Sequence, residues 1–298
     1  MSKLRRIIVG YNFFPDGDLA LQSSRILAER SDAALFLLHV VEPAPLTEQA
    51  SFPNFSSQAV VEEVVLNVSD RLKDLAATPE FSPLRVETDV RTGKPFAELI
   101  AACRQWRGDL IVVGVSGRHE GLFLGSTAER VLRKSPVPVL VAKRLFTNGP
   151  KTIVVPTDFS PNAKQAAEEG LALTRAFGGR IVFLHVMERR TLFPPAYGLT
   201  PVLSPISPEM IEADWEKFLH DLPLGGGLTW EKQTREGDAA RTITDIAKET
   251  GAELVVMGTH GRTGLKHMLL GSVTEKVVRL SECSILTVRP EAHRFELP

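Results

Sequence analysis

Four segments of this chain recur, in the same order, at a spacing close to half its length. "RRIIVGYNFF" at 5–14 aligns with "KTIVVPTDFS" at 151–160, and "AALFLLHVVE" at 33–42 with "GRIVFLHVME" at 179–188. "GDLIVVGVSGR" at 108–118 aligns with "AELVVMGTHGR" at 252–262, and "LGSTAERVLRKSPVPVLVAKR" at 124–144 with "LGSVTEKVVRLSECSILTVRP" at 270–290. His39 falls on His185 (185 − 39 = 146), Gly114 on Gly258 (258 − 114 = 144) and Gly125 on Gly271 (271 − 125 = 146). A period near 146 residues is the size of a domain, not of a solenoid repeat. The chain is therefore expected to fold as two copies of one domain, 1–146 and 151–298. They are joined at "TNGP" (147–150), where Asn-Gly and Gly-Pro punctuate the backbone.

Within each copy, strand patterns alternate with helix patterns. In the second copy "TIVVP" (152–156) is a short β-branched run suited to a strand buried on both faces. Ser160-Pro161 supplies an N-cap and a first helical residue, small and apolar side chains follow at helical spacing, and Gly178-Gly179 ends the run. Strands are predicted at 180–186, 228–235, 252–258 and 284–290, and helices near 208–221, 239–250 and 272–281. Five strands alternating with four helices predict an α/β domain, a parallel sheet with helices on both faces and right-handed crossovers.

A composition of 43% hydrophobic and 24% charged residues, with a net charge of −1, gives neither a nucleic-acid footprint nor a polybasic membrane patch. No apolar run approaches the ~18 residues of a spanning helix. The basic start "MSKLRRIIVGYNFF" is a poor signal peptide, so a cytoplasmic protein is expected. Cys103 and Cys283 have no metal-ligand spacing and read as buried thiols of a reducing compartment.

In such sheets ligands bind beyond the carboxyl ends of the strands, where strand order reverses. Three segments of the second copy lie at strand ends: Pro156-Thr157-Asp158, His185-Val186, and a loop that starts at Gly258. The loop reads Gly258-x-x-Gly261, nine residues, then Gly271-Ser272 at the start of a helix. Glycines let the backbone approach a ligand, and free N–H groups at a helix start favour an anion. With the hydroxyls of Ser272 and Thr274 this makes a phosphate cradle without a P-loop lysine. The plainer alternative is a loop that merely caps a strand and a helix. His39 and His185, at equivalent strand ends, read as architectural, and His260 and His267 as loop side chains outside any metal set.

These residues, in this order and spacing, resemble the universal stress protein (UspA-like) family in its tandem form, over essentially the whole chain, twice. Residues 258–272 match the family's Gly-two-Gly-nine-Gly-Ser pattern, and Asp158 its acidic residue at the end of the first strand. The resemblance implies two Rossmann-like domains of the adenine nucleotide alpha hydrolase type, each a five-stranded parallel sheet of order 3-2-1-4-5. It also implies ATP, with or without Mg²⁺, in the second copy. Carried over residue by residue, Asp158 accepts from ribose hydroxyls, the Val186 backbone meets the adenine edge, and Met257 and Gly258 pack on adenosine. Gly261, Gly271, Ser272, Val273 and Thr274 then hold phosphates, with Pro156 and Thr157 shaping the strand end and Arg262 within charge range.

The first copy departs from this pattern. Asn12 stands in the place of Asp158, Phe14 in that of the N-cap Ser160, and seven residues rather than nine precede Gly125-Ser126. It reads as a degenerate site, so one tightly held ATP per chain is expected. The implied function is a regulatory ATP-binding protein of the stress response with protein partners. The alternatives are a slow ATPase or a scaffold using the altered first half. Within the chain, "VPVLVAK" (137–143) and "SILTVRP" (284–290) are expected to pair antiparallel as a pseudo-dimer, through which homodimers of the whole chain remain possible by other surfaces. Cleaving the chain at Gly149 should then give halves that self-associate or aggregate; halves that scatter light as clean monomers contradict the pairing.

Overall fold

The computed structural model describes residues 4–42, 58–115, 124–188, 207–261 and 270–289. They separate into two compact units, one up to Gly149 and one from Pro150.

The first unit runs β1 (Arg6–Gly10), α1 (Pro15–Ser31), β2 (Ala34–Val41), α2 (Gln58–Ala76), β3 (Val86–Thr92), α3 (Pro95–Trp106), β4 (Leu110–Val113), α4 (Ser126–Lys134) and β5 (Val139–Val141). The second runs β6 (Thr152–Thr157), α5 (Pro161–Phe177), β7 (Arg180–Met187), α6 (Pro208–His220), β8 (Thr229–Glu236), α7 (Ala239–Glu249), β9 (Leu254–Gly258), α8 (Ser272–Leu280) and β10 (Ser284–Val288). The strands are ordered β3-β2-β1-β4-β5 in one unit and β8-β7-β6-β9-β10 in the other, and every neighbouring pair within a unit is parallel. Both units therefore have the 3-2-1-4-5 order and reverse direction of winding between their first and fourth strands.

The central strands are apolar along their length because helices cover both of their faces. Ile7, Ile8 and Val9 of β1 and Ile153, Val154 and Val155 of β6 are fully buried. Helix α5 shows how local chemistry sets an element's limits. The Ser160 hydroxyl accepts from Ala163 N at 3.2 Å, Pro161 follows where no N–H is needed, and Gly178 ends the helix at φ 63°. By contrast β8, the outermost strand of its order, is largely exposed along its whole length. Both cysteines are buried, and burial first of all pushes the Cys103 thiol up to about 12.

Two tryptophans of the second unit separate core from surface. Trp215 is 1% exposed, its ring packs edge-on to Phe159 at 5.0 Å, and its Nε1 donates to Thr234 Oγ1 at 2.9 Å. Trp230 on β8 is 38% exposed. Trp215→Ala should therefore cost about 3–5 kcal/mol in urea unfolding followed by circular dichroism. Trp230→Ala should cost below about 1 kcal/mol. Equal costs would contradict this assignment of the core.

Candidate functional site

In the second unit the site begins where a ladder stops. The Lys151 carbonyl accepts from Arg180 N of β7, and the Thr152 carbonyl from Glu253 N beside β9. Polar backbone groups alternate along a strand, so odd-numbered residues of β6 face β7 and even-numbered ones face β9. Pro156 thus stands on the β9 side, where it has no N–H to donate. Pairing of β6 with β9 ends at Val154–Val255, while pairing with β7 runs on to Thr157–His185. The two strands part at their carboxyl ends, at the switch point of the order. In the first unit Gly10 holds the position of Pro156 (156 − 146 = 10), and pairing of β1 with β4 continues to Gly10–Val113.

The backbone then makes a tight corner. Phe159 N donates to Thr157 Oγ1 at 2.9 Å, Ser160 N donates to Asp158 Oδ1 at 3.1 Å, and Phe159 itself takes φ 62°. The Phe159 ring lies against His185, centroids 4.4 Å apart, and the His185 ring donates from Nδ1 to the Thr157 carbonyl at 2.9 Å. The first unit repeats this arrangement with Phe13 at φ 58° and His39 Nδ1 donating to the Tyr11 carbonyl at 2.8 Å. The strand-end histidines thus brace the corner. Burial, more than any other cause, holds His39 below the usual imidazole value.

This corner presents the Asp158 carboxylate to the glycine loop. A side chain at Gly261 would place its first carbon 2.7 Å from Asp158 Oδ2, so glycine there lets the carboxylate lie this close to the loop without shifting. Asn162, in the first turn of α5, donates from Nδ2 to the His260 carbonyl at 3.2 Å and ties the loop to the helix. The loop is closed at its neck by Gly271 N donating to the Thr259 carbonyl at 2.7 Å. Helix α8 starts immediately beyond, and its first intrahelical bond runs from Glu275 N to the Gly271 carbonyl at 2.9 Å. The N–H groups of Ser272, Val273 and Thr274 therefore have no carbonyl behind them within the helix. Side chains cap the starts of α5, α6 and α7, whereas none caps α8.

Of the residues singled out in the sequence, the structure brings Asp158, Gly258, Gly261, Gly271, Ser272 and Val273 around this opening. Val186 lies half-buried near the end of β7, Met257 is buried in β9, and Pro156 and Thr157 are buried in β6. Thr274 is also buried, and its hydroxyl donates to the Gly258 carbonyl at 2.9 Å, so its side chain ties β9 to α8. Arg262 and His267 lie outside the described residues. Two contributors escaped the sequence reading. Asn162 could have been found by aligning the first turns of the two copies, and Phe159 by noting a Phe at the same place in both.

The first unit keeps the neck. Gly125 N donates to the Val115 carbonyl at 2.6 Å, and Val115 and Gly125 are the counterparts of Thr259 and Gly271 (259 − 144 = 115; 271 − 146 = 125). The connection with seven rather than nine residues before its Gly-Ser step therefore ends in the same neck bond as the longer one.

Comparison with known proteins agrees with the duplication. The universal stress protein family matches twice, over residues 3–143 and 149–289. A universal stress protein of Mycolicibacterium smegmatis is 25% identical over 95% of this chain and 97% of its own length. One of Methanocaldococcus jannaschii is 31% identical over 47% of this chain and 82% of its own. The crystal structure of a universal stress protein from Archaeoglobus fulgidus shares the fold with a TM-score of 0.72 at 18% identity, covering 96% of this chain and 97% of that one. With a match to the family in each half and that fold in each unit, the chain belongs to the universal stress protein family as a tandem, two-domain member.

Proposed function

We propose that the second unit binds an adenine nucleotide, ATP, as a regulatory ligand in the stress response. The observation that carries this reading is the meeting of two complementary groups across the parted ends of β6 and β9. A carboxylate, Asp158, faces one side of the opening, and the uncapped start of α8 faces the other. A carboxylate accepts two hydrogen bonds at once and suits the hydroxyls of a ribose. The α8 start offers N–H groups at the positive end of a helix dipole and suits phosphate.

In this reading Asp158 anchors the ribose, the Val186 backbone meets the adenine edge, and Met257 and Gly258 form the floor under adenosine. The N–H groups of Ser272 and Val273, the Ser272 hydroxyl and the Gly261 backbone receive the phosphates, while Gly271, whose N–H is committed to the Thr259 carbonyl, lets them approach without a side chain in the way. Thr274 contributes its N–H, since its hydroxyl proton is committed to Gly258. Magnesium would arrive with the nucleotide, held by phosphate oxygens and water as is usual for that ion. These donors orient and neutralise phosphate without abstracting a proton from water, which favours a ligand over a substrate. Occupancy then biases whichever conformation binds more tightly.

Asp158→Ala removes a charge-assisted acceptor, and Gly271→Asp adds a negative charge at the neck, where a new side chain would crowd the Thr259 carbonyl at 3.1 Å. Each should weaken ATP binding in calorimetry roughly a hundredfold. Unchanged affinity in both variants would remove the assignment.

A further inference from the structure

The two copies carry the same pair of side chains in opposite order. The second unit has Asp158 at the strand end and Asn162 in the first turn of the following helix. The first unit has Asn12 and Asp16 at those places (158 − 146 = 12; 162 − 146 = 16). We propose that this exchange is the specificity determinant of the first unit: Asp16 places a carboxylate against Gly114, at the end of β4, and excludes polyphosphate from that cleft. The inference rests on reading the second unit's cleft as a nucleotide site.

At the strand position both side chains do the same local work. Asn12 Oδ1 accepts from Phe14 N at 3.1 Å, as Asp158 Oδ1 accepts from Ser160 N at 3.1 Å. What moves is the formal charge. In the second unit the helix position holds a neutral amide, Asn162, bonded to the His260 carbonyl. In the first unit the helix position holds Asp16, pressed against Gly114, the counterpart of Gly258. A side chain at Gly114 would collide with the Asp16 carbonyl, and its first carbon would lie 2.8 Å from Asp16 Oδ2. Asp16 is half-buried, so solvent screens it less than a free surface charge.

The neck is not the difference, because Gly125 N closes on the Val115 carbonyl as Gly271 N closes on the Thr259 carbonyl. The start of α4 is likewise free of a side-chain cap, as the start of α8 is. A phosphate approaching Gly125–Ser126 thus meets the same donors as in the second unit, but with the carboxylate moved from the strand end to the first turn of α1, against Gly114. Repulsion of this kind scales with the charge of the ligand, so it falls hardest on ATP and least on AMP.

The test is calorimetric titration of the full chain with ATP and AMP. The charge-neutral exchange Asn12→Asp/Asp16→Asn recreates the second unit's arrangement and leaves the seven-residue loop and Gly10 untouched. It should raise the stoichiometry from one ATP to two per chain, with at least ~10-fold tighter ATP binding in the first unit and a smaller gain for AMP. Asp16→Asn alone should give the same direction. Asp18→Asn removes an equal charge from the same helix, on a side chain bonded instead to Tyr11, and should add no site. The new site should persist when Gly271→Asp silences the second unit. A stoichiometry of one in both parent and exchange variant overturns the proposal and leaves the proposed function standing. Two sites in the parent, or none in either protein, also overturn it. No site in the parent and one in the exchange variant would support the proposal while removing the reading of the second unit.

Discussion

A parallel strand cannot turn directly back into its neighbour; the chain must cross the sheet and start again from the same end. That constraint, met at four crossovers in each unit, puts every strand's carboxyl end in a unit at one edge. It also puts the starts of α1 and α4, or of α5 and α8, at that edge. The site is a consequence of this arrangement. Asp158 and Gly258 are about a hundred residues apart in the chain, yet they end the two strands between which winding reverses. Pro156 then decides how far those strands stay together, since it lacks the donor that the ladder to β9 needs.

Much of this was legible in the sequence because it is local. The Ser160-Pro161 start and Gly178 end of α5 follow from the chemistry of single residues. The parallel, twice-covered strands follow from runs such as "TIVVP". The duplication showed that the order of elements is a property of each half. What stayed hidden depends on register and distance. Which face of β6 carries Pro156 is fixed by the pairing partner, not by the residue. The bond from Asn162 to the His260 carbonyl spans 98 residues. The left-handed turn at Phe159 is stabilised by His185 and Trp215, which no local pattern announces. Loop length drew attention to the first copy, but a loop's length sets its path and not where its ends close, and the necks of the two copies are closed alike.

Duplication leaves each copy free to change while the other keeps its role. The core strands and the braced corner recur in both units, because losing either would cost the fold. The variation lies on the sheet edge where it is cheap for stability: Pro156 against Gly10, and the exchanged acid and amide of positions 12 and 16. An acid in the first turn of α1 even favours that helix through its dipole. A change that would close a phosphate site is thus tolerated, or favoured, by the scaffold that carries it.

The central claim is that an adenine nucleotide is held by the backbone of the α8 start, just beyond the second unit's neck, opposite Asp158. Hydrogen–deuterium exchange of the full chain with and without ATP reads those N–H groups directly. The account predicts slowed exchange at 158–160, 258–261 and 271–275 on adding ATP, with 114–115 and 125–128 unchanged. Protection confined to the first unit, or none in either, would contradict it.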